Sequence, residues 1–125
     1  MTSGLSAARA ELAAALEATA IRTVAEPNGV FAAPCIRIHP AAPWLAPSAL
    51  ASGRRTQRWE VWCVLGALDS KAKYTQLEDM VSAATNALDL LAAWSAIIWE
   101  RPNPTEMGGT TYLAVRGIIE TNREV

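Results

Sequence analysis

The chain has 125 residues, 51% of them hydrophobic, with 11 Lys plus Arg against 12 Asp plus Glu and a net charge of −1. That size suits one domain with a real core, read here as residues 1–125, and the hydrophobic content excludes a disordered chain. The balanced charge argues against binding nucleic acid through a broad basic surface. No basic stretch leads into an apolar run at the N-terminus, so no signal peptide is expected. No apolar segment reaches the roughly 18 residues that a membrane span needs. A soluble protein made in a cytoplasm is the expectation.

Residues 5–20 predict a helix. Leu5, Ala8, Leu12, Ala15 and Leu16 fall on one stripe, Ser3 stands ready as an N-cap, and the alanine content favours helix. Residues 21–24 are short and β-branched, 26–29 read as a turn through Pro27-Asn28-Gly29, and Val30 to His39 reads as a strand interrupted by Pro34. These two strands predict a hairpin.

Residues 40–55 hold three prolines and a glycine, yet also Trp44, Leu45 and Leu50. The prolines exclude a helix or a central strand and predict a long proline-rich arm. Its apolar residues either fold back on the core or dock on another subunit.

Thr56 to Leu68 is the longest strand-like run. Trp59, Val61, Cys63 and Leu65 share one side, and Arg58, Glu60, Trp62 and Val64 the other. Both sides carry large apolar groups, so a central strand is predicted. A helix follows over residues 70–93, capped by Asp69-Ser70, with an apolar stripe of Leu77, Met80, Val81, Ala84, Leu88 and Leu91. Residues 94–101 predict a strand with Ile97 and Trp99 on one side, and 102–109 a turn-rich connection. Residues 110–121 predict the last strand, with Gly117 at a bulge or a close backbone approach. The expected fold is α+β: a two-layer domain whose mostly antiparallel sheet is covered on one face by two helices.

Motifs for chemistry are absent. There is no phosphate-binding glycine loop and no Gly-x-Ser-x-Gly elbow, and the lone His39 lacks a local nucleophile. Cys35 and Cys63 read as buried thiols, and neither with His39 nor with each other do they make a metal-ligand spacing. Glu78-Asp79 reads as a solvated helix face. Neither catalytic, cofactor-binding nor metal-binding residues are expected. Arg54, Arg55 and Arg58 form the densest basic cluster, read either as charges that guard a strand edge or as groups that meet a neighbouring subunit or a duct for DNA.

Several stretches together resemble the tail terminator proteins of long-tailed, non-contractile bacteriophages, most of all those of phages with high-GC actinobacterial hosts. They are the Ala/Leu-rich opening helix, Cys35-Ile-Arg-Ile-His-Pro40, the proline-rich segment, Arg58-Trp-Glu-Val-Trp-Cys63, the helix at 70–93, Trp94-x-x-Ile97 and Gly108-Gly-Thr-Thr-Tyr-Leu-Ala-Val-Arg116. The resemblance implies a small virion subunit that forms a homo-oligomeric ring, expected to be a hexamer, at the head-proximal end of the tail. The ring stops tube growth and joins the head, assembling in the host cytoplasm. Its partners would be the major tail tube protein and the head-tail connector or neck proteins. DNA would only pass through the lumen, with no sequence-specific binding, and no membrane is involved.

On that reading Trp44, Leu45, Leu50, Arg54 and Arg55 are candidate subunit-interface residues. A sheet edge near Pro34 or Ile118 is the candidate acceptor, and Arg58 a lumen- or partner-facing charge. Three alternatives stand beside it. One is a head-closure or neck protein of the same virion. Another is a small-molecule-binding or enzymatic domain of cellular origin that would use His39, Tyr112 and Arg116. The third is a DNA-binding protein.

Overall fold

The computed structural model describes residues 3–25, 33–47, 54–66 and 71–124. The first helix, α1 (Gly4–Glu17), begins where Ser3 accepts a hydrogen bond from the Ser6 amide at 3.0 Å. It buries Ala8, Leu12 and Leu16, three residues of the predicted stripe. It ends three residues short of the predicted end. Ala20 has φ 65°, a left-handed conformation that stops the helical ladder.

Six strands follow in one sheet: β1 (Thr23–Val24), β2 (Cys35–Pro47), β3 (Arg54–Leu65), β4 (Ile98–Trp99), β5 (Asn103–Met107) and β6 (Thr110–Glu124). The second helix, α2 (Lys71–Leu88), lies between β3 and β4 in sequence. The sheet order is β1-β2-β3-β6-β4, with β5 also paired to β6. Every pairing is antiparallel except β1 with β2. The fold is therefore α+β, with two helices and a mixed, mostly antiparallel sheet.

Alternation along β3 divides the side chains as its sequence predicts. Trp59, Val61, Cys63 and Leu65 join Ile36 and Ile38 of β2, Leu113, Val115 and Ile119 of β6, and the inward faces of both helices in one cluster. From α2 the cluster takes Leu77, Met80, Ala84 and Leu88, with Val81 and, beyond the end of the helix, Leu91 packed at its margin. Both helices thus cover the same face. On the opposite face Cys35, Val64 and Ala114 form a smaller cluster under Trp62, Met107 and Tyr112. β3 is central, with β2 on one side and β6 on the other along its length.

Four expectations need correction. The hairpin predicted from residues 21–39 does not form, because Thr23 and Val24 lie parallel to Ile36 and Arg37. The proline-rich arm predicted for 40–55 is not seen in the described residues: 40–47 continue β2 and 54–55 open β3, while 48–53 lie outside the described residues. The strand predicted at 94–101 shrinks to β4 and an isolated bridge from Trp94 to Thr121. The connection predicted at 102–109 instead contains β5, which pairs with β6 through the two-residue turn Gly108-Gly109. Both glycines have positive φ (59° and 83°), as a tight hairpin turn of that length demands. The cap predicted at Asp69-Ser70 also lies outside the described residues.

The prolines of β2 fit because β2 is nearly an edge. The Ile36 amide donates to the Arg22 carbonyl across β1, so by the two-residue period Ile38 and Pro40 also turn their backbone groups outward. Pro40, lacking an N–H, takes away a donor that an extra strand would use. Pro43 sits in a bulge. Pro40 lies opposite Trp59 and Leu45 opposite Gln57, so β2 advances five residues while β3 advances two.

Candidate interaction surfaces

The six predicted site residues fall in two places, and one is not described. Trp44 is the last residue of the β2 bulge and Leu45 the first back in register, at 37% and 38% exposure. Trp44 is not a free knob. Its ring meets Trp59 edge-on, with centroids 5.6 Å apart at 87°. Leu50 lies outside the described residues. Arg54, Arg55 and Arg58 do not make a single basic patch, because strand alternation divides them. Arg54 and Arg58 share the face away from the helices, and Arg55 points to the other side. Arg54 donates to the Asn122 carbonyl at 2.9 Å, and Arg58 Nε lies 2.9 Å from Glu120 Oε1 in an ion pair. The Ile118 acceptor edge is also corrected: Ile118 lies between Glu60 of β3 and Ile98 of β4, with a strand on each side.

The helix-free face of the sheet carries a ladder of opposite charges. Arg58 stands opposite Glu120 in the register. Arg116 reaches diagonally to Glu60 at 3.1 Å and holds Glu100 with two hydrogen bonds of 2.7 and 2.6 Å. Its guanidinium also lies 5.9 Å from the Trp62 ring centroid, and Trp62 Nε1 donates to Glu60 at 2.9 Å. The Arg116 pairing holds the Glu100 carboxyl below its usual range and raises Arg116. A second knot ties β6 to α1. Arg123 pairs with Glu11, lies 5.3 Å from the Trp94 ring centroid, and donates to Thr121 Oγ1. Trp94 Nε1 donates to the same Glu11 carboxylate at 3.2 Å.

Sequence reading missed Glu11, Glu60, Glu100, Glu120 and Arg123. Only a register exposes them, since Arg58 meets Glu120 once β3 and β6 are known to run antiparallel with that offset. Given the register, alternating Arg58/Glu60 against Arg116/Glu120 would have been a readable signal.

The residues proposed for a small-molecule site share a face but do not converge on one cavity. A groove of about 340 Å³ is lined by His39, Pro40, Glu60, Trp62 and residues 105–107, but by neither Tyr112 nor Arg116. Burial, and then the nearby Arg37, lower the His39 pKa. Tyr112 packs on the Cys35–Val64–Ala114 cluster, and Arg116 is held by its two carboxylates. Cys35 and Cys63 are buried and unbridged, and they lie on opposite faces of adjacent strands. Burial pushes the Cys63 thiol up to about 12. Among the described residues, no group of three His, Cys, Asp or Glu side chains is placed to hold a metal ion. Glu78 and Asp79 are exposed on α2, and no helix among the described residues is long and apolar enough to cross a membrane.

A second groove, of about 370 Å³, runs between α2 and the β4 edge. Its floor includes Leu77, Val81, Trp99 and Pro102, and Glu78 and Glu100 stand on its rim. Trp99 Nε1 donates to Thr85 Oγ1 at 2.9 Å, which fastens the floor to α2. Gly117 lets β4 approach. A Cβ there would lie 2.6 Å from Ile97 Cδ1 and 2.7 Å from Trp99 Cε3. Of the two sequence readings of Gly117, the close approach is the one observed, since the β3–β6 register runs through it without a shift. No protein-family model matches the sequence, and no curated protein matches it.

Proposed function

We propose that this chain is a structural subunit of a bacteriophage tail, a tail terminator that assembles as a ring on the head-proximal end of the tail tube. The supporting observation is the division of β2 and β3. Their inner halves make the core, while their outer ends carry Trp44, Leu45, Arg54 and Arg55 on the surface past the last core residue of β3, Trp59. A closed ring needs two different, complementary patches on every subunit, and a subunit with contact groups outside its core can supply one without loss of its fold. Interfaces favour Trp and Arg, which occur together there. The resemblance in sequence layout supplies the assignment to the tail, the hexamer, and the contacts with tube and connector proteins. Arg58, engaged with Glu120, would be a lumen- or partner-facing charge that is already neutralised.

The test is to add the purified chain to the polymerising major tube protein of the same virion and image the products. Rings at one end of each tube, with shorter tubes as the chain is raised, are expected. Tubes of unchanged length with bare ends would refute the terminator role. Binding to the portal-side connector alone would point to the neck protein instead.

A further inference from the structure

The two margins of the sheet carry unlike surfaces. On the β2 side, at the end of the bulge, Trp44 and Leu45 are each more than a third exposed. Leu45 lies opposite Gln57 and Pro47 opposite Arg55, so the exposed Arg55, on the same side of β3 as Gln57, adjoins this apolar pair. On the β4 side lies the groove between α2 and β4, with an apolar floor and the exposed acidic groups Glu78 and Glu100 on its rim. One surface is apolar with a basic margin, and the other is apolar with an acidic margin. The chain is almost neutral overall, so this contrast comes from where the charges sit.

We propose that these surfaces are the two halves of one head-to-tail contact between copies of this chain: the β2–β3 end of one copy seats Trp44 and Leu45 in the α2–β4 groove of the next, with Arg55 against its acidic rim. This deepens the ring-subunit reading and rests on it for the closure of the ring. In the sheet order β1-β2-β3-β6-β4 the donor strand β2 lies toward one end, flanked there only by the two-residue β1, and β4 lies at the other end. A contact between different patches is heterologous. It leaves one of each unfilled in a dimer, so addition continues until rotation closes the ring. Opposite charges around apolar centres favour this pairing and disfavour donor against donor, where like charges would meet.

The groove needs little rearrangement to serve. Its floor is fixed by the Trp99–Thr85 hydrogen bond and by the close packing over Gly117. Glu100 is already shared with Arg116, so the exposed Glu78 takes more of the new pairing.

Cysteine cross-linking of the full-length protein tests the contact. Cys35 and Cys63 are buried and do not compete for reagent. Ala46→Cys places a thiol beside the donor and Ser82→Cys one in the groove. With a short bis-maleimide, the double variant should give a ladder of linked copies that stops at the ring number. A mixture of the two single variants should give dimers only, and each single variant alone none. Arg55→Glu and Glu78→Arg should each reduce the ladder several-fold in the double-cysteine background, and together restore it. Self-linking of the Ala46→Cys protein as strong as that of the double variant would overturn the proposal. So would the absence of a ladder in both free and tube-bound protein, or charge reversals that fail to rescue one another. Tube capping without the ladder would sink this contact and leave the terminator reading standing. A ladder without capping would do the reverse.

Discussion

Strand β3 passes through two environments, and the contrast organises the molecule. From Trp59 to Leu65 every second side chain is buried beneath the helices, beside the inner residues of β2 and β6. From Arg54 to Arg58 only Gln57 is buried, and the stretch lies opposite Glu120, Thr121, Asn122, Arg123 and Glu124 of β6. The inner half is held by apolar burial, which is non-directional and large. The outer half is held by individual polar ties: Thr121 Oγ1 to the Ala93 carbonyl at 2.7 Å, Arg54 to Asn122, Arg58 to Glu120, and Arg123 to Glu11. Such ties are modest and depend on salt and pH. The inner half should therefore set stability, and the outer half should tolerate change and be available for contact.

The largest effect should come from the inner half. Leu77 is 1% exposed in the main cluster, and Leu77→Ala should cost about 2–5 kcal/mol in urea unfolding. Leu45→Ser, in the outer half, should stay within about 0.5 kcal/mol while weakening assembly. Equal losses for the two would erase the distinction between the halves.

Gly117 sharpens the boundary on the β4 side. Gly117→Ala places a methyl within 3 Å of Ile97 and Trp99, so overpacking should cost about 1–3 kcal/mol. The Trp99 fluorescence environment should shift with it. A neutral result would mean that β4 moves freely and that the groove beside it is not preformed.

The inner half was also the more legible in sequence, for a physical reason. Residues 59–65 and the α2 stripe show their burial as periods of 2 and 3.6, which a single segment carries by itself. The outer half and the margins depend on partners distant in sequence. Pro40, Pro43 and Pro47 look like strand breakers until β2 is known to lie near an edge with a bulge. Pro104 looks like part of a turn until β5 is seen to have β6 as its only partner among the described strands. Nothing in Thr23-Val24 tells a parallel neighbour from a hairpin mate. The charge ladder was illegible for the same reason, since Arg58 and Glu120 are 62 positions apart and meet only through the register. The candidate contact groups Trp44, Leu45, Arg54 and Arg55 could be nominated from their residue types, but the register that sets Leu45 opposite Gln57 and Pro47 opposite Arg55 could not.

Trp44 straddles the two halves. It offers an edge to the buried Trp59 and keeps 37% of its surface exposed. Trp44→Ala should cost about 0.5–1.5 kcal/mol of stability, the range of one aromatic pair, and more in assembly. Trp44→Phe should recover most of the stability. If Trp44→Ala costs as much as Leu77→Ala, the residue belongs to the core, and the contact surface must be sought elsewhere.

The smallest effect should be the most specific. Glu11 joins α1 to the outer end of β6. Its hydrogen bond with Arg123 is the main cause of a pKa below 4.5, helped by Trp94 and opposed by partial burial. In the unfolded chain the carboxylate has neither partner, so below pH 4.5 the unfolded state binds more protons than the folded one. Stability therefore rises with pH through that window. The contribution is complete above 4.5 and is lost as pH falls through the lower, folded-state value. The Glu11 side chain is 42% exposed, so solvent screening limits the contribution to about 1 kcal/mol or less. Glu11→Gln should be slightly less stable than the parent at pH 7, and the two unfolding curves should converge under acid. His39 acts in a separate, higher window. Its lowered pKa means that stability begins to fall as pH drops below 6.5, in parent and Glu11→Gln variant alike. A difference between the two proteins that stays constant from pH 7 to pH 3 would show that Glu11 acts by packing, and that the outer end of β6 is not tied down by charge.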